Sequence, residues 1–255
     1  MEAWAQRGYG ARLDWGLAGA TAIAAGADVA VVVDVLSFTT ALTVAGDAGV
    51  AVLPFRWNDA RAVEHAREHD AVLAVGRSQA GPGQLSLSPA SLRHGPLPAR
   101  LVLPSPNGST IAAHLGATAG TVLGASLRNA SAVARWIAAR HDPARSTVAV
   151  VAAGERWPAG GLRPAVEDAW GAGAVLEGLA RAGWSTSSPE AGAALAAWRA
   201  VADDVGTGLL SCASGRELVE KGHAEDVAIA AEVDVSRCVP VLREQVFRDQ
   251  GRARR

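Results

Sequence analysis

The stretch Val29-Ala30-Val31-Val32-Val33-Asp34-Val35-Leu36-Ser37-Phe38-Thr39-Thr40-Ala41 decides the fold. Its first five residues are apolar, mostly β-branched and without polar alternation, which predicts a strand buried on both faces. The run ends on a carboxylate, continues through hydroxyls, and passes into the small-residue segment Ala41 to Gly46, which opens a helix. In an open α/β sheet, ligands sit beyond the carboxyl ends of the strands. Asp34 therefore faces a crevice that suits a metal. The hydroxyls of Thr39 and Thr40, with free N–H groups at a helix start, suit a phosphate.

The same alternation continues outward. Strands are expected at Ala30–Val33, Val50–Pro54, Ala71–Val75, Leu101–Leu103, Thr121–Gly124 and Thr147–Ala152. Helices are expected at Asn58–Glu68, capped by Asn58-Asp59, and at Ser109–Leu115, Arg128–Arg140 and Pro164–Ala182. This pattern predicts an α/β protein with a largely parallel or mixed sheet and helices on its faces. Beyond Gly183 the chain reads as helical: Pro189 to Ala202, Gly215 to Lys221 and Ala224 to Glu232. Gly76 to Pro98 and Ala153 to Pro164 read as long loops, of the kind that carry function. No linker divides the chain, so residues 1–255 are taken as one domain, with two lobes meeting at the site left open.

The 255 residues are 49% hydrophobic and 19% charged, enough for a packed core, and the net charge of −1 gives no drive toward nucleic acid or anionic membrane. The basic end, Arg248 to Arg255, reads as a frayed tail. The apolar stretch from Trp15 to Ala45 is interrupted by Asp28, Asp34 and glycines, too broken for a membrane span. No basic region precedes an apolar run at the N-terminus, so the expected location is cytoplasmic. Cys212 and Cys238 have no metal-ligand or redox spacing and read as reduced core residues. Lys221 is the sole lysine. No glycine-rich loop precedes it, which argues against a Walker-type nucleotide site.

Chemistry-bearing residues recur after successive strands. Pro104-Ser105-Pro106-Asn107-Gly108-Ser109-Thr110 makes a turn and opens a helix, so Ser105, Gly108, Ser109 and Thr110 join Thr39 and Thr40 as phosphate-binding candidates. Ser126-Leu127-Arg128-Asn129 places Arg128 where it could pair with an anionic substrate, with a capped helix start as the alternative. Glu155 follows a strand, and Glu167-Asp168 open a helix. With Asp34 they form a hard oxygen set suited to Mg²⁺. A phosphate cradle beside such a set predicts phosphoryl chemistry. Two competing patterns are weaker. His65-Ala66-Arg67-Glu68-His69 fits an inverted zinc-peptidase motif, but lies on an expected solvent-facing crossover helix with no assignable third ligand. A haloacid-dehalogenase-type start would need an Asp where Leu36 stands.

These segments together resemble the 2-phosphosulfolactate phosphatase family over nearly the whole chain. The resemblance rests on Arg12-Leu13-Asp14-Trp15-Gly16, Asp34-Val35-Leu36, Ser105 to Thr110 and Ser126 to Ala130. It extends through Glu167-Asp168-Ala169-Trp170-Gly171-Ala172-Gly173 and Gly222-His223-Ala224-Glu225-Asp226-Val227-Ala228. It implies a three-layer α/β/α fold, hydrolysis of a phosphate monoester, Mg²⁺, and a link to coenzyme M biosynthesis. The chain departs from the family pattern at Ser37, where arginine is usual. It also departs at Gly76-Arg77, which lacks a Glu, and at Gln84 to Pro89, which lacks an acidic residue.

The expected catalytic residues are Asp34, Asn107 and Glu155. Asp34, Glu155, Glu167 and Asp168 would hold the metal. Arg77, Ser126, Arg128, Asn129 and Arg163 would meet the remainder of a small anionic phosphorylated substrate. A homodimer is left open. The alternative is a degenerate relative that binds a phosphorylated or sulfonated metabolite without efficient hydrolysis.

Overall fold

The computed structural model describes residues 2–56, 60–81 and 83–251. The chain enters through β1 (Ala11–Trp15) and α1 (Gly16–Ala24), then β2 (Val29–Val33), α2 (Phe38–Asp47) and β3 (Ala51–Phe55). There follow α3 (Ala60–Glu68), β4 (Val72–Leu73), α4 (Pro89–His94), β5 (Arg100–Pro104), α5 (Gly108–Leu115), β6 (Thr121–Ala125) and α6 (Ala130–Ala138). Then come β7 (Val148–Ala152), a ribbon of β8 (Glu155–Arg156) and β9 (Leu162–Arg163), and the long α7 (Val166–Arg181). The last part comprises α8 (Pro189–Val201), α9 (Val205–Ser211), α10 (Ala213–Glu220), α11 (Ala224–Ala230), β10 (Pro240–Arg243) and β11 (Val246–Asp249).

Among the described residues, nine strands form one mixed sheet in the order β1-β7-β2-β6-β10-β11-β3-β5-β4. β2 lies between parallel neighbours, with Val31 opposite Val150 of β7 and Leu123 of β6. All five residues of β2 are fully buried. Val29, Val31 and Val33 face one core with α6, α7 and α8, whereas Ala30 and Val32 face the other with α1, α2 and α5. A strand covered on both faces has no polar side to show, so its sequence is a continuous apolar run. Each such valine contributes roughly 1.5–3 kcal/mol by burial. The expected α/β/α layering is therefore observed.

Several elements differ from the sequence reading. β1 was not expected. It pairs with β7 over five positions, Ala11 opposite Val148 through Trp15 opposite Ala152. Its Arg12 and Asp14 break any apolar run, and only pairing makes it a strand. The helices expected beyond Gly183 are present as α8, α10 and α11, but no strand was expected there and Arg248 was read as the start of a frayed tail. Instead, β10 and β11 form an antiparallel hairpin set into the sheet between β6 and β3, with Arg248 opposite Val241. Its turn puts Glu244 and Gln245 at φ 50° and 61°. A turn with two positive φ values ordinarily carries Asn-Gly, so this one gives no turn signal in sequence. The loop Gly76 to Pro98 contains α4, N-capped by the Ser88 side chain. The loop Ala153 to Pro164 is the β8–β9 ribbon. The Asn58-Asp59 cap and the tail beyond Gly251 lie outside the described residues. No helix of the described residues is long and apolar enough to cross a membrane.

Candidate active site

α2 begins at Phe38, earlier than expected, so its first turn sits directly above Asp34. The Phe38 N–H donates to Asp34 Oδ1 at 3.0 Å, and the Gly108 N–H, opening α5, donates to Oδ2 at 2.9 Å. One buried carboxylate thus joins the N-termini of two helices, where dipoles and unpaired donors favour negative charge. The approach is close enough to require glycine: a Cβ on Gly108 would stand 2.5 Å from Asp34 Oδ2 and 2.6 Å from Phe38 Cδ1.

The second carboxylate is built the same way. Asp168, in the first turn of α7, accepts from the Val35 N–H at 2.7 Å and the Gly154 N–H at 2.8 Å. α7 reaches this position because Gly171 lets it close onto β2; a Cβ there would lie 2.7–2.8 Å from Val35 and Val33. Glu167 is buried beside it. Glu155 completes the group, its Oε2 accepting from Asn107 Nδ2 at 3.0 Å.

The four carboxylates expected to hold a metal share one electrostatic neighbourhood, although among the described residues no three of them bring one oxygen each within 4.8 Å of one another. Burial raises Asp34 above the ordinary aspartate value, aided by Glu167 and opposed by its two N–H donors and by Arg77. Burial raises Asp168 well above that value, followed by the charges of Asp34 and Glu167. Burial pushes Glu155 up to about 7, followed by the charges of Asp34 and Glu167, with Arg163 and the Asn107 bond opposing. Carboxylates crowded in low dielectric must bind protons or a cation. The donor set is all oxygen, which fits a hard divalent ion.

Two cavities meet at Glu155 and Arg156. One, of ≈ 230 Å³, is lined by Asn107, Thr110, Trp15 and Leu162. The other, of ≈ 580 Å³, is lined by Leu36, Arg77, Arg163, Ser214 and Lys221. Arg77 Nε donates to Asp226 Oδ2 at 2.9 Å. Asp226 also accepts from Ser88 Oγ and the Ala90 N–H, fastening the long loop to α11. Arg77 Nη2, Ser37 Oγ and Ser214 Oγ are buried with no hydrogen-bond partner among the described residues.

Other expectations need correction. Thr39 and Thr40 donate their hydroxyl hydrogens to the Asp34 and Val35 carbonyls, both at 2.7 Å. Ser109 and Thr110 donate theirs to the Leu103 and Ser105 carbonyls. Ser105 Oγ accepts from the Asn107 N–H at 3.3 Å. These side chains shape the turns, and the Gly108 N–H, also expected to meet phosphate, is taken by Asp34 Oδ2. Arg128 does not enter the cluster. It pairs with Glu232 and Asp47 and donates to Thr43 Oγ1, all around the far part of α2. Ser126 and Asn129 form a capping box, and Asn129 Nδ2 also reaches the Gly124 and Cys238 carbonyls. The Ser126–Asn129 segment is a locked helix start, the alternative that its sequence also allowed.

Two residues were not singled out from sequence. Asp226 holds Arg77; its only signal was the Gly222 to Ala228 block. Arg156 ties the ribbon to the neighbouring turn through Asn107 Oδ1 at 3.4 Å and the Pro106 carbonyl at 3.2 Å. It gave no signal, since nothing local predicts which way a ribbon side chain turns.

Residues 20–245 match the profile of the family described as 2-phosphosulpholactate phosphatase. The chain belongs to that family. It is similar to a protein of Deinococcus radiodurans named probable 2-phosphosulfolactate phosphatase, with 34% identity over 219 residues, covering 84% of this chain and 88% of the relative. It is likewise 34% identical over 222 residues to a Thermus thermophilus protein of the same name, covering 86% and 90% of the two chains. Within this phosphatase family chain, the buried carboxylates and the cation-lined cleft occupy the strand ends where an α/β sheet binds its ligands.

Proposed function

We propose that this protein hydrolyses a small anionic phosphate monoester of the 2-phosphosulfolactate type, with Mg²⁺ held by Asp34, Glu155, Glu167 and Asp168. The observation that carries the reading is the cluster of buried carboxylates at the carboxyl ends of β2 and β7, set against the start of α5. The names of the two relatives and the family match support the same substrate class. When bound, the cation would neutralise phosphoryl oxygens and acidify a water.

The chain's own residues do the rest. With the Gly108 N–H taken by Asp34, the Ser109 and Thr110 N–H groups of the first turn of α5 would meet the phosphoryl oxygens at a helix N-terminus. Arg77 and Arg163 line the ≈ 580 Å³ cavity, where they neutralise the substrate's other acidic groups. Glu155 opens onto both cavities, and in the metal-free protein burial and the charges of Asp34 and Glu167 push it up to about 7. Glu155 takes a proton from the attacking water and returns it to the leaving alkoxide oxygen as the P–O bond breaks. Asn107 holds Glu155 Oε2 in place for this transfer.

Ser37 lowers turnover of 2-phosphosulfolactate relative to family members with arginine there, since a lost charge-assisted bond costs roughly 1.5–3 kcal/mol. The test is release of inorganic phosphate from 2-phosphosulfolactate and from smaller phosphomonoesters, after EDTA treatment and after return of Mg²⁺. Metal-dependent turnover that Asp34→Asn abolishes in a folded protein supports the proposal. Binding without turnover points to the degenerate-relative reading. Full activity in EDTA refutes the role of the carboxylates.

A further inference from the structure

In the motif His65-Ala66-Arg67-Glu68-His69 the structure brings the motif's own glutamate beside the two imidazoles as a third ligand. His65, Glu68 and His69 lie on one face of α3 and its C-terminal end, and one donor atom from each falls within 4.8 Å of the others. The spacing of three and four residues brings side chains over the same patch of helix surface.

Two further contacts hold the imidazoles. His69 Nδ1 donates to the His65 carbonyl at 2.9 Å, which fixes the tautomer and leaves Nε2 as the free lone pair. Metal-ligating histidines characteristically have the other ring nitrogen bonded in this way. The His65 ring stacks on Phe55 at 4.5 Å between centroids, tilted by 18°, so its orientation is set by packing. The two imidazoles are 4.2 Å apart between centroids. The neighbouring charge on the helix, Arg67, pairs with Glu64 at 3.6 Å. The His69 carbonyl is taken by Arg100 Nη1 at 2.9 Å, which pins the end of the helix.

We propose that α3 carries a second metal site, formed by His65, Glu68 and His69, for a borderline divalent transition metal such as Zn²⁺. Two imidazole nitrogens and one carboxylate oxygen are a known zinc donor set, with one position left for water. The same donors disfavour Mg²⁺, which prefers oxygen ligands. The site is separate in residues and chemistry from the carboxylate cluster and does not depend on the proposed phosphatase function. It would act as a clamp on the end of α3, because anything that binds only the folded state stabilises it.

The test uses the full-length protein stripped with EDTA and titrated calorimetrically with Zn²⁺. Wild type is compared with the double variant His65→Ala/His69→Ala. Zinc also enters the carboxylate cluster, so the readout is the difference in stoichiometry. Wild type is expected to bind one more equivalent than the double variant, with a Kd of micromolar order. Zn²⁺ should shift the His69 Nε2 resonance, and Glu68→Gln should weaken this site by about tenfold or more. Arg67→Ala should keep the extra equivalent, and the double variant should keep the Mg²⁺-dependent phosphatase rate. Equal stoichiometry in wild type and double variant overturns the proposal, as does a Kd of millimolar order. Undiminished affinity in Glu68→Gln overturns the three-ligand assignment.

Discussion

Glu155→Gln is expected to stabilise the metal-free protein at about pH 8 and leave it nearly unchanged at about pH 5, while abolishing turnover. Glutamine keeps the shape of the side chain and an oxygen to accept from Asn107 Nδ2, so the substitution removes charge and little else. In the folded protein Glu155 is pushed from the ordinary 4.5 to about 7, chiefly by burial and then by Asp34 and Glu167. The folded state therefore binds this proton more tightly than the unfolded chain between those two values. The stability it contributes is complete below the lower value and is lost as pH rises through the higher one. At about 1.4 kcal/mol per pH unit, the interval corresponds to roughly 3 kcal/mol. Glu155 opens onto two cavities, and solvent screening there reduces the expected effect to about 1–2 kcal/mol. Urea unfolding in EDTA, measured from about pH 5 to 8, should show the variant's advantage growing with pH. Addition of Mg²⁺ should then stabilise the wild type more than the variant. A difference between the two proteins that is constant across pH, or a variant less stable at about pH 8, would refute the crowded-carboxylate reasoning.

Gly108→Ala should destabilise the fold by roughly 2–4 kcal/mol, because the new methyl meets Asp34 and Phe38 at 2.5–2.6 Å and breaks a charge-assisted bond; chemical denaturation reads this directly. Arg128→Ala should cost about 2–4 kcal/mol in stability with KM nearly unchanged, since Arg128 serves Glu232, Asp47 and Thr43; a KM increase of about tenfold or more would return it to the substrate site. Replacing Glu244-Gln245 by Asn-Gly should raise stability by about 1 kcal/mol, because both positions hold positive φ; an unchanged or lower Tm would count against the turn reading.

The central strands and the pieces of the site were legible because their signals are local. β2 and β7 are apolar runs because both sheet faces are covered, and that requirement appears in every residue of the run. Asp34, Asn107, Glu155, Glu167 and Asp168 stood out as candidates because each follows a strand or opens a helix, a position readable from punctuation alone. What the chain could not declare were choices made by partners distant in sequence. β1 is a strand because β7 lies beside it, and β10 and β11 enter the sheet through a turn whose residues carry no turn signature. Four threonine and serine hydroxyls near the site looked free to bind phosphate, but nearby carbonyls take their hydrogens. Arg128 looked free to meet a substrate, and a glutamate 104 residues away engages it. Sequence by itself determined which residue types line the strand ends. Tertiary structure decided which of them keep their polar groups for a ligand, because a buried donor or acceptor takes its first available partner.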